Sequence, residues 1–289
     1  MKVAVLGAGT MGHGIAQVSA MAGHEVRVRD IDSDLVEKGL SAIESNLDGG
    51  VERDKVTPAE KRATLDRIEG TTDLAEAVSE ADLVFEAVPE KMDLKKSTFE
   101  DVEAHAPDDA VLASNTSSLS VTEIASALDD PERFVGTHFF NPVHIMALVE
   151  VVVGERTSPE TVEFAEEYVD DIGKTAVTVE DSPGFATSRL GVSLGNEAMR
   201  MYQEGVASAR DIDTAMELGY NHPMGPLELA DVVGLDVRLG VVEYLREELG
   251  ERFRPPQVLK RKVRANKLGR KTGEGFYVWE DGEIVGVSD

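Results

Sequence analysis
The 289-residue sequence has no cysteine, which excludes disulfides, thiolate metal sites and a cysteine nucleophile. Positive charge is also scarce: 29 lysines and arginines face 55 aspartates and glutamates, for a net charge of −26 and a pI near 4.5. Such a field repels nucleic acid and anionic membranes, so neither is expected as a partner. Lysine is the rarer base, at 12 against 17 arginines. An evenly acidic, lysine-poor chain suits a high-salt, halophilic cytoplasm where charge is screened; an acidic protein of ordinary salt is the open alternative. No stretch approaches the roughly 18 consecutive apolar residues of a membrane span. The first residues carry one basic side chain, and their short apolar run reads as a strand. No secretory signal is therefore expected, and the cytoplasm is the expected location. Internal repeats and low-complexity segments are lacking too.

What is present is concentrated at the start. Residues 2–30, KVAVLGAGTMGHGIAQVSAMAGHEVRVRD, read as strand, glycine turn, helix, strand and terminal acid. Gly7, Gly9 and Gly12 have G-x-G-x-x-G spacing, with Thr10 and Met11 between the last two. The first glycine permits a tight turn, the second lets backbone approach a pyrophosphate, and the third lets helix pack on strand. The helix start then offers unpaired N–H groups and a positive dipole end to that pyrophosphate. Gly23 reads as the helix stop, and Asp30 follows the second strand, 18 residues after Gly12. That offset suits an acid accepting both ribose hydroxyls of NAD. FAD-binding proteins share the fingerprint, so it does not name the cofactor alone. Asp30 would repel a 2′-phosphate, which favours NAD over NADP, while Arg29 beside it argues the other way.

Further on, residues 33–47 read as a helix broken by Asp48-Gly49-Gly50, and Thr57-Pro58-Ala59-Glu60 as a capped second helix start. This helical hairpin is an insertion in a minimal nucleotide fold. A strand near Ile68, a helix over 73–79 and the apolar strand 81–88 follow. So uniformly apolar a strand belongs inside a parallel sheet covered on both faces. Pro89-Glu90-Lys91 opens a helix to about residue 106, and strand 110–114 ends in Asn115-Thr116-Ser117-Ser118, a polar cluster at the edge that faces the ligand crevice. Strands are expected at 133–139, 148–153 and 175–180, with a helix from Ser158-Pro159 to Gly173. Asp181-Ser182-Pro183-Gly184 reads as the domain boundary, beyond which the periodicity turns helical over 185–204, 209–218 and 235–249. The expectation is an α/β chain: a Rossmann-like doubly wound sheet with a helical-hairpin insertion in residues 1–182, then an all-helical domain in residues 183–289 for substrate contacts and subunit association.

At this point the residues resemble one family, the short-chain L-3-hydroxyacyl-CoA dehydrogenases, including 3-hydroxybutyryl-CoA dehydrogenases. The matching stretches are GAGTMGHGIAQ, FEAVPE, ASNTSSLS, THFFNPVHIMALVEVV, DSPGF, MELGYNHPMGPLELADVVGLD and KTGEGFY, in that order across nearly the whole chain. The resemblance implies reversible hydride transfer between NAD and the 3-hydroxyl carbon of an acyl-CoA. Such chemistry needs a base for the hydroxyl proton. Of the six histidines, His13, His24, His105, His138, His144 and His222, only His138 lies near a strand end with an acid placed to orient it. If strands 134–139 and 148–153 form a hairpin centred near His144, His138 faces Glu150, which would hold the imidazole tautomer and stabilise the imidazolium. On the residues alone, a buried, satisfied histidine beside a strand-end glutamate stays open.

The resemblance further implies that Ser117 contacts substrate and cofactor, with a helix-capping role compatible with this. It assigns Glu90, Lys95 and Asn141 to the nicotinamide ribose and brings Lys271 near the cofactor; for Lys95 an ordinary solvated helix lysine is the alternative. The hairpin at 34–67 would hold CoA, with Arg53, Lys55, Lys61 and Arg62 as phosphate partners. No residue is assigned to a metal. One position departs from the family: an asparagine normally precedes the arginine after PGF, but here Ser188 precedes Arg189. That position bonds around the substrate carbonyl, so a shorter hydroxyl would act through a water. Among rival readings, a β-hydroxyacid dehydrogenase would need a lysine base on the helix after Gly184, and residues 184–204 contain none. A CoA-independent sugar-acid or hydroxy-acid dehydrogenase and a non-catalytic NAD-binding relative stay open.

Overall fold
A computed structural model of the chain describes residues 1–288 and divides them into two compact units, Met1–Phe185 and Ala186–Asp289. The first begins with β1 (Lys2–Leu6), α1 (Thr10–Met21) and β2 (Glu25–Arg29). The strand and helix boundaries follow from local chemistry: Gly7 takes a positive φ of 102° that lets the chain turn out of β1, and a Cβ at Gly12 would run into the Gly7 carbonyl. Next come α2 (Ser33–Glu52), α3 (Pro58–Leu65), β3 (Ile68–Thr71), α4 (Leu74–Val78), β4 (Leu83–Glu86) and α5 (Met92–Glu103). The unit closes with β5 (Val111–Ser114), α6 (Val121–Ala125), β6 (Phe134–Phe139), β7 (Leu148–Val153), α7 (Pro159–Asp171) and β8 (Thr175–Glu180).

These strands form one sheet in the order β3-β2-β1-β4-β5-β6-β7-β8, parallel except where β6 meets β7. Alternate residues of each central strand go to opposite faces. Val3, Val5, Phe85, Val135 and Val151 pack with α1, α2 and α7; Ala4, Leu6, Val84, Leu112 and Val152 pack with α4, α5 and α6. Both faces are covered, which explains why β4, β5 and β6 are buried at every position. Each fully buried aliphatic side chain contributes roughly 1.5–3 kcal/mol of transfer free energy.

The helical hairpin needs one correction. Asp48-Gly49-Gly50 does not break α2, which runs on to Glu52. Gly50 is used for packing instead: it is buried, and a Cβ there would lie 2.9 Å from Val56, so its bareness lets the turn fold back against the helix. The start of α3 has the expected capping box between Thr57 and Glu60.

The second unit contains α8 (Thr187–Gln203), α9 (Ala209–Tyr220), α10 (Pro226–Val233), α11 (Leu235–Leu249) and α12 (Gln257–Arg264) around a core that includes Met199, Leu227, Leu245 and Phe276. It is helical, with one addition to the all-helical expectation: β9 (Tyr277–Glu280) and β10 (Glu283–Val287) form an antiparallel hairpin. The hairpin is anchored to α10 by buried Asp231, whose carboxylate accepts from the Phe276 and Tyr277 N–H groups at 2.9 Å and from Trp279 Nε1 at 3.0 Å. Asp213 holds the other side, accepting from the Tyr277 hydroxyl at 2.7 Å and from the Leu227 and Glu228 N–H groups at the start of α10. No helix among the described residues is long and apolar enough to cross a membrane.

Candidate active site
Strand order reverses between β1 and β4, since β2 lies on one side of β1 and β4 on the other. In a doubly wound sheet the ligand crevice opens at that point, beyond the carboxyl ends of the strands. Register places the candidate residues there: Leu6 pairs with Glu86, Glu86 with Ser114, and Ser114 with Gly136. The glycine turn, the 87–91 segment, the 115–118 cluster and His138 therefore all lie at one edge of the sheet.

At the glycine turn, Gly9 caps α1 and is exposed together with Thr10, and a Cβ on Gly9 would meet nothing within 4 Å. The protein's own packing does not require glycine there. An open backbone at a helix N-terminus is what a pyrophosphate needs, so the turn fits a dinucleotide. Met11 packs partly on the core. Asp30 is half-buried at the end of β2; its Oδ2 accepts from the Ala8 N–H at 2.8 Å and its Oδ1 from the Ile31 N–H at 2.7 Å. It thereby ties the glycine turn to the chain leaving β2.

Across the β6–β7 hairpin, His138 is opposite Glu150, and His138 Nδ1 lies 2.7 Å from Glu150 Oε2. Glu150 is wholly buried and His138 is 7% exposed. With a carboxylate at Nδ1, that nitrogen carries the proton and Nε2 is left as an acceptor. The ring packs against Phe140 and Phe185, with centroids at 4.4 and 5.9 Å, so its plane is held by apolar contacts on top of the hydrogen bond. Asn115 accepts from the Phe139 N–H at 3.1 Å, fixing the end of β6 to the end of β5. Exposed Asn141 follows, joined to Pro142 by a cis peptide bond.

Lys95 does not reach solvent as a helix-surface lysine would: it is wholly buried, 2.6 Å from Glu86 and 3.3 Å from Glu90. Glu90 gathers the polar cluster, its Oε1 accepting from Thr116 Oγ1 at 2.6 Å and from the Ser117 and Ser118 N–H groups at 2.9 and 3.2 Å. Burial pushes the Glu90 carboxyl up, but the Lys95 ammonium and these hydrogen bonds outweigh it and hold it below the usual range. Ser117 itself is exposed on the loop so formed. Two functional candidates escaped the sequence reading: Glu86, whose signal is a carboxylate at the end of an apolar central strand, and Thr116, which is hidden among four small polar residues.

In the hairpin insertion Arg53, Lys55 and Arg62 are exposed, whereas Lys61 is engaged by Asp48 at 2.6 Å and Glu44 at 3.2 Å. In the second unit Ser188 sits half-buried in the first turn of α8, and Lys271 lies 2.6 Å from Asp236.

The chain is similar to known proteins over nearly its whole length. Residues 2–182 match the family model described as 3-hydroxyacyl-CoA dehydrogenase, NAD binding domain, and residues 184–279 its C-terminal domain. The chain is 44% identical over 278 residues to a 3-hydroxybutyryl-CoA dehydrogenase of Clostridioides difficile, covering 96% of this chain and 99% of that one. It is 44% identical over 281 residues to a probable 3-hydroxybutyryl-CoA dehydrogenase of Bacillus subtilis strain 168, covering 97% and 98%. The crystal structure of (S)-3-hydroxybutyryl-CoA dehydrogenase from Ralstonia eutropha superposes with a TM-score of 0.93 at 42% identity, covering 97% of this chain and 99% of that one.

Proposed function
The chain belongs to the 3-hydroxyacyl-CoA dehydrogenase family, NAD-dependent oxidoreductases, and from that premise we propose that it interconverts 3-hydroxyacyl-CoA and 3-oxoacyl-CoA through His138 and Glu150. The observation that carries the reading is the buried 2.7 Å His138–Glu150 pair at the sheet edge that also bears the glycine turn. NAD, when bound, supplies the hydride acceptor. His138 Nε2 takes the proton of the 3-hydroxyl as the C3–H bond breaks, and returns it in the reverse direction. Glu150 keeps the Nδ1 proton in place and stabilises the imidazolium that forms.

The remaining roles follow the family pattern. Gly7, Gly9, Thr10, Met11 and Gly12 hold the pyrophosphate, Asp30 the adenosine ribose, and Glu90, Lys95, Ser117 and Asn141 the nicotinamide side; the family pattern counts Lys271 among the cofactor residues. Ser117 and Ser188 bond the acyl end of the substrate, and Arg53, Lys55 and Arg62 meet the CoA phosphates. Residues 183–289 act as the substrate and association domain of a homodimer, supported by the exposed side chains of Leu190, Leu218, Tyr220 and Val237 in the helical unit. The cytoplasm, where NAD and acyl-CoA are available, is the proposed location.

The test is NADH oxidation followed by absorbance with acetoacetyl-CoA in molar KCl. Turnover lost on His138→Gln with NADH binding intact supports the assignment. A protein that binds NADH but ignores acetoacetyl-CoA, while oxidising a free hydroxy acid with NAD, would move it to the CoA-independent branch.

A further inference from the structure
We infer that Glu86 is a positioning residue for the cofactor site, acting through Lys95; the inference rests on the proposed placing of Glu90 and Lys95 at the cofactor, not on the acyl-CoA substrate. Glu86 ends β4 and is wholly buried. A carboxylate there is unfavourable unless every oxygen is satisfied. Both are: Oε1 accepts from Lys95 Nζ at 2.6 Å and the Val88 N–H at 2.7 Å, and Oε2 accepts from Ser114 Oγ at 2.6 Å. One side chain thus ties together the chain leaving β4, the last residue of β5 and the ammonium of α5.

The tie continues toward the crevice. Lys95, wholly buried, places its ammonium 3.3 Å from Glu90 Oε2 while Glu90 Oε1 holds the N–H groups of Ser117 and Ser118. Two carboxylates therefore share one buried cation, and the division of that cation between them sets where Glu90 and the Ser117 loop sit. With glutamine in place of Glu86, Lys95 has a single counter-charge left and is drawn wholly to Glu90, so the Glu90 carboxylate is less available to a ribose.

A double-mutant cycle on NADH binding, read by fluorescence titration with each variant's thermal midpoint recorded, tests this. Glu86→Gln is expected to weaken NADH binding about tenfold, whereas adding Glu86→Gln to Lys95→Met is expected to change it less than twofold. Glu86→Gln binding NADH as the unmodified protein does, or an equal loss with and without Lys95, would overturn the inference. If Glu86→Gln alone does not fold because Lys95 is left undercompensated, the comparison of Lys95→Met with the double variant still decides: equal affinity supports the inference, and a further tenfold loss overturns it. Because the readout is binding, a protein that binds NADH yet does not turn over acetoacetyl-CoA would overturn the substrate assignment and leave this cycle standing.

Discussion

Glu150→Gln separates orientation from charge at the proposed base. The amide is isosteric with the carboxylate and can still accept from His138 Nδ1, so the 2.7 Å contact and the packing of the ring on Phe140 and Phe185 should persist. What disappears is the negative charge beside a ring that must become cationic when it takes the substrate proton. A hydrogen bond to a charged partner is worth about 1.5–3 kcal/mol against about 1 for a neutral one. The pair is buried, with Glu150 fully inaccessible, so solvent screening should reduce that difference little. The difference of about 0.5–2 kcal/mol, at about 1.4 kcal/mol per decade of rate, should lower kcat for 3-hydroxybutyryl-CoA oxidation roughly two- to thirtyfold. NADH affinity should stay within a factor of about two, since the glycine turn and Asp30 are untouched. Stopped-flow measurement of the hydride step, with NADH affinity titrated separately, reads both quantities. A variant that keeps more than half its kcat would refute the argument that Glu150 acts by stabilising the imidazolium.

Asp30→Ala should erode a strong preference for NAD over NADP, measured as the ratio of kcat/KM values; equal kcat/KM for the two cofactors in the unmodified protein would refute the ribose assignment. Ser188→Asn should keep or raise turnover of acetoacetyl-CoA by restoring a direct donor, and Ser188→Ala should cost less than about 1.5 kcal/mol in kcat/KM. A large loss in Ser188→Asn would mean that the pocket is built around serine. The lowered Glu90 carboxyl gives stability that is present above the ordinary carboxylate range and lost as pH falls through its folded value. The thermal midpoint of Glu90→Gln should therefore lie below that of the unmodified protein near neutrality and converge with it in acid; a gap that widens in acid would contradict this sign.

The parts of the fold readable in the sequence are those set by local chemistry. β1 occurs where a short apolar run ends at Gly7, β2 where apolar and polar residues alternate after Gly23, and the capping box at Thr57 announces α3. The β6–β7 register was readable because two apolar strands placed symmetrically about His144 put His138 opposite Glu150. What was hidden depends on contacts distant in the chain. Whether Gly49-Gly50 stops a helix or packs within one is decided by Val56 lying against Gly50. Helical spacing puts Lys95 on α5 without saying which face is buried, and its burial depends on Glu86, which reaches it only once β4 and α5 are assembled. The β9–β10 hairpin did have a local signal that the sequence reading passed over, Asp281-Gly282 between two strand-like runs, with both residues at positive φ; what was hidden is its anchor, Asp231, 45 residues before Phe276.

The same separation of local from global governs how this protein handles its ligands in salt. NAD and CoA are polyanions, and a chain of net charge −26 repels both at long range. On the proposed assignment, binding comes from groups at contact distance: the N–H groups opening α1 and the exposed cations Arg53, Lys55 and Arg62. Lys61 is already neutralised by Glu44 and Asp48, so Lys61→Ala should alter the KM for acyl-CoA little. At molar salt the Debye length shrinks to about 3 Å, which removes the long-range repulsion while sparing backbone hydrogen bonds at contact. Two responses should rise together as KCl goes from dilute to molar: the thermal midpoint, because self-repulsion among 55 acids is screened, and the apparent affinity for acetoacetyl-CoA, because the approach is no longer opposed. An enzyme that captures CoA with a basic surface would show the opposite trend in KM. Steady-state KM at saturating NADH, measured only where circular dichroism reports the folded state, distinguishes the two. A KM that climbs steadily with KCl would show that the hairpin cations dominate despite the net charge, and a flat thermal midpoint would remove the adaptation to high salt from the account without touching the chemistry at His138.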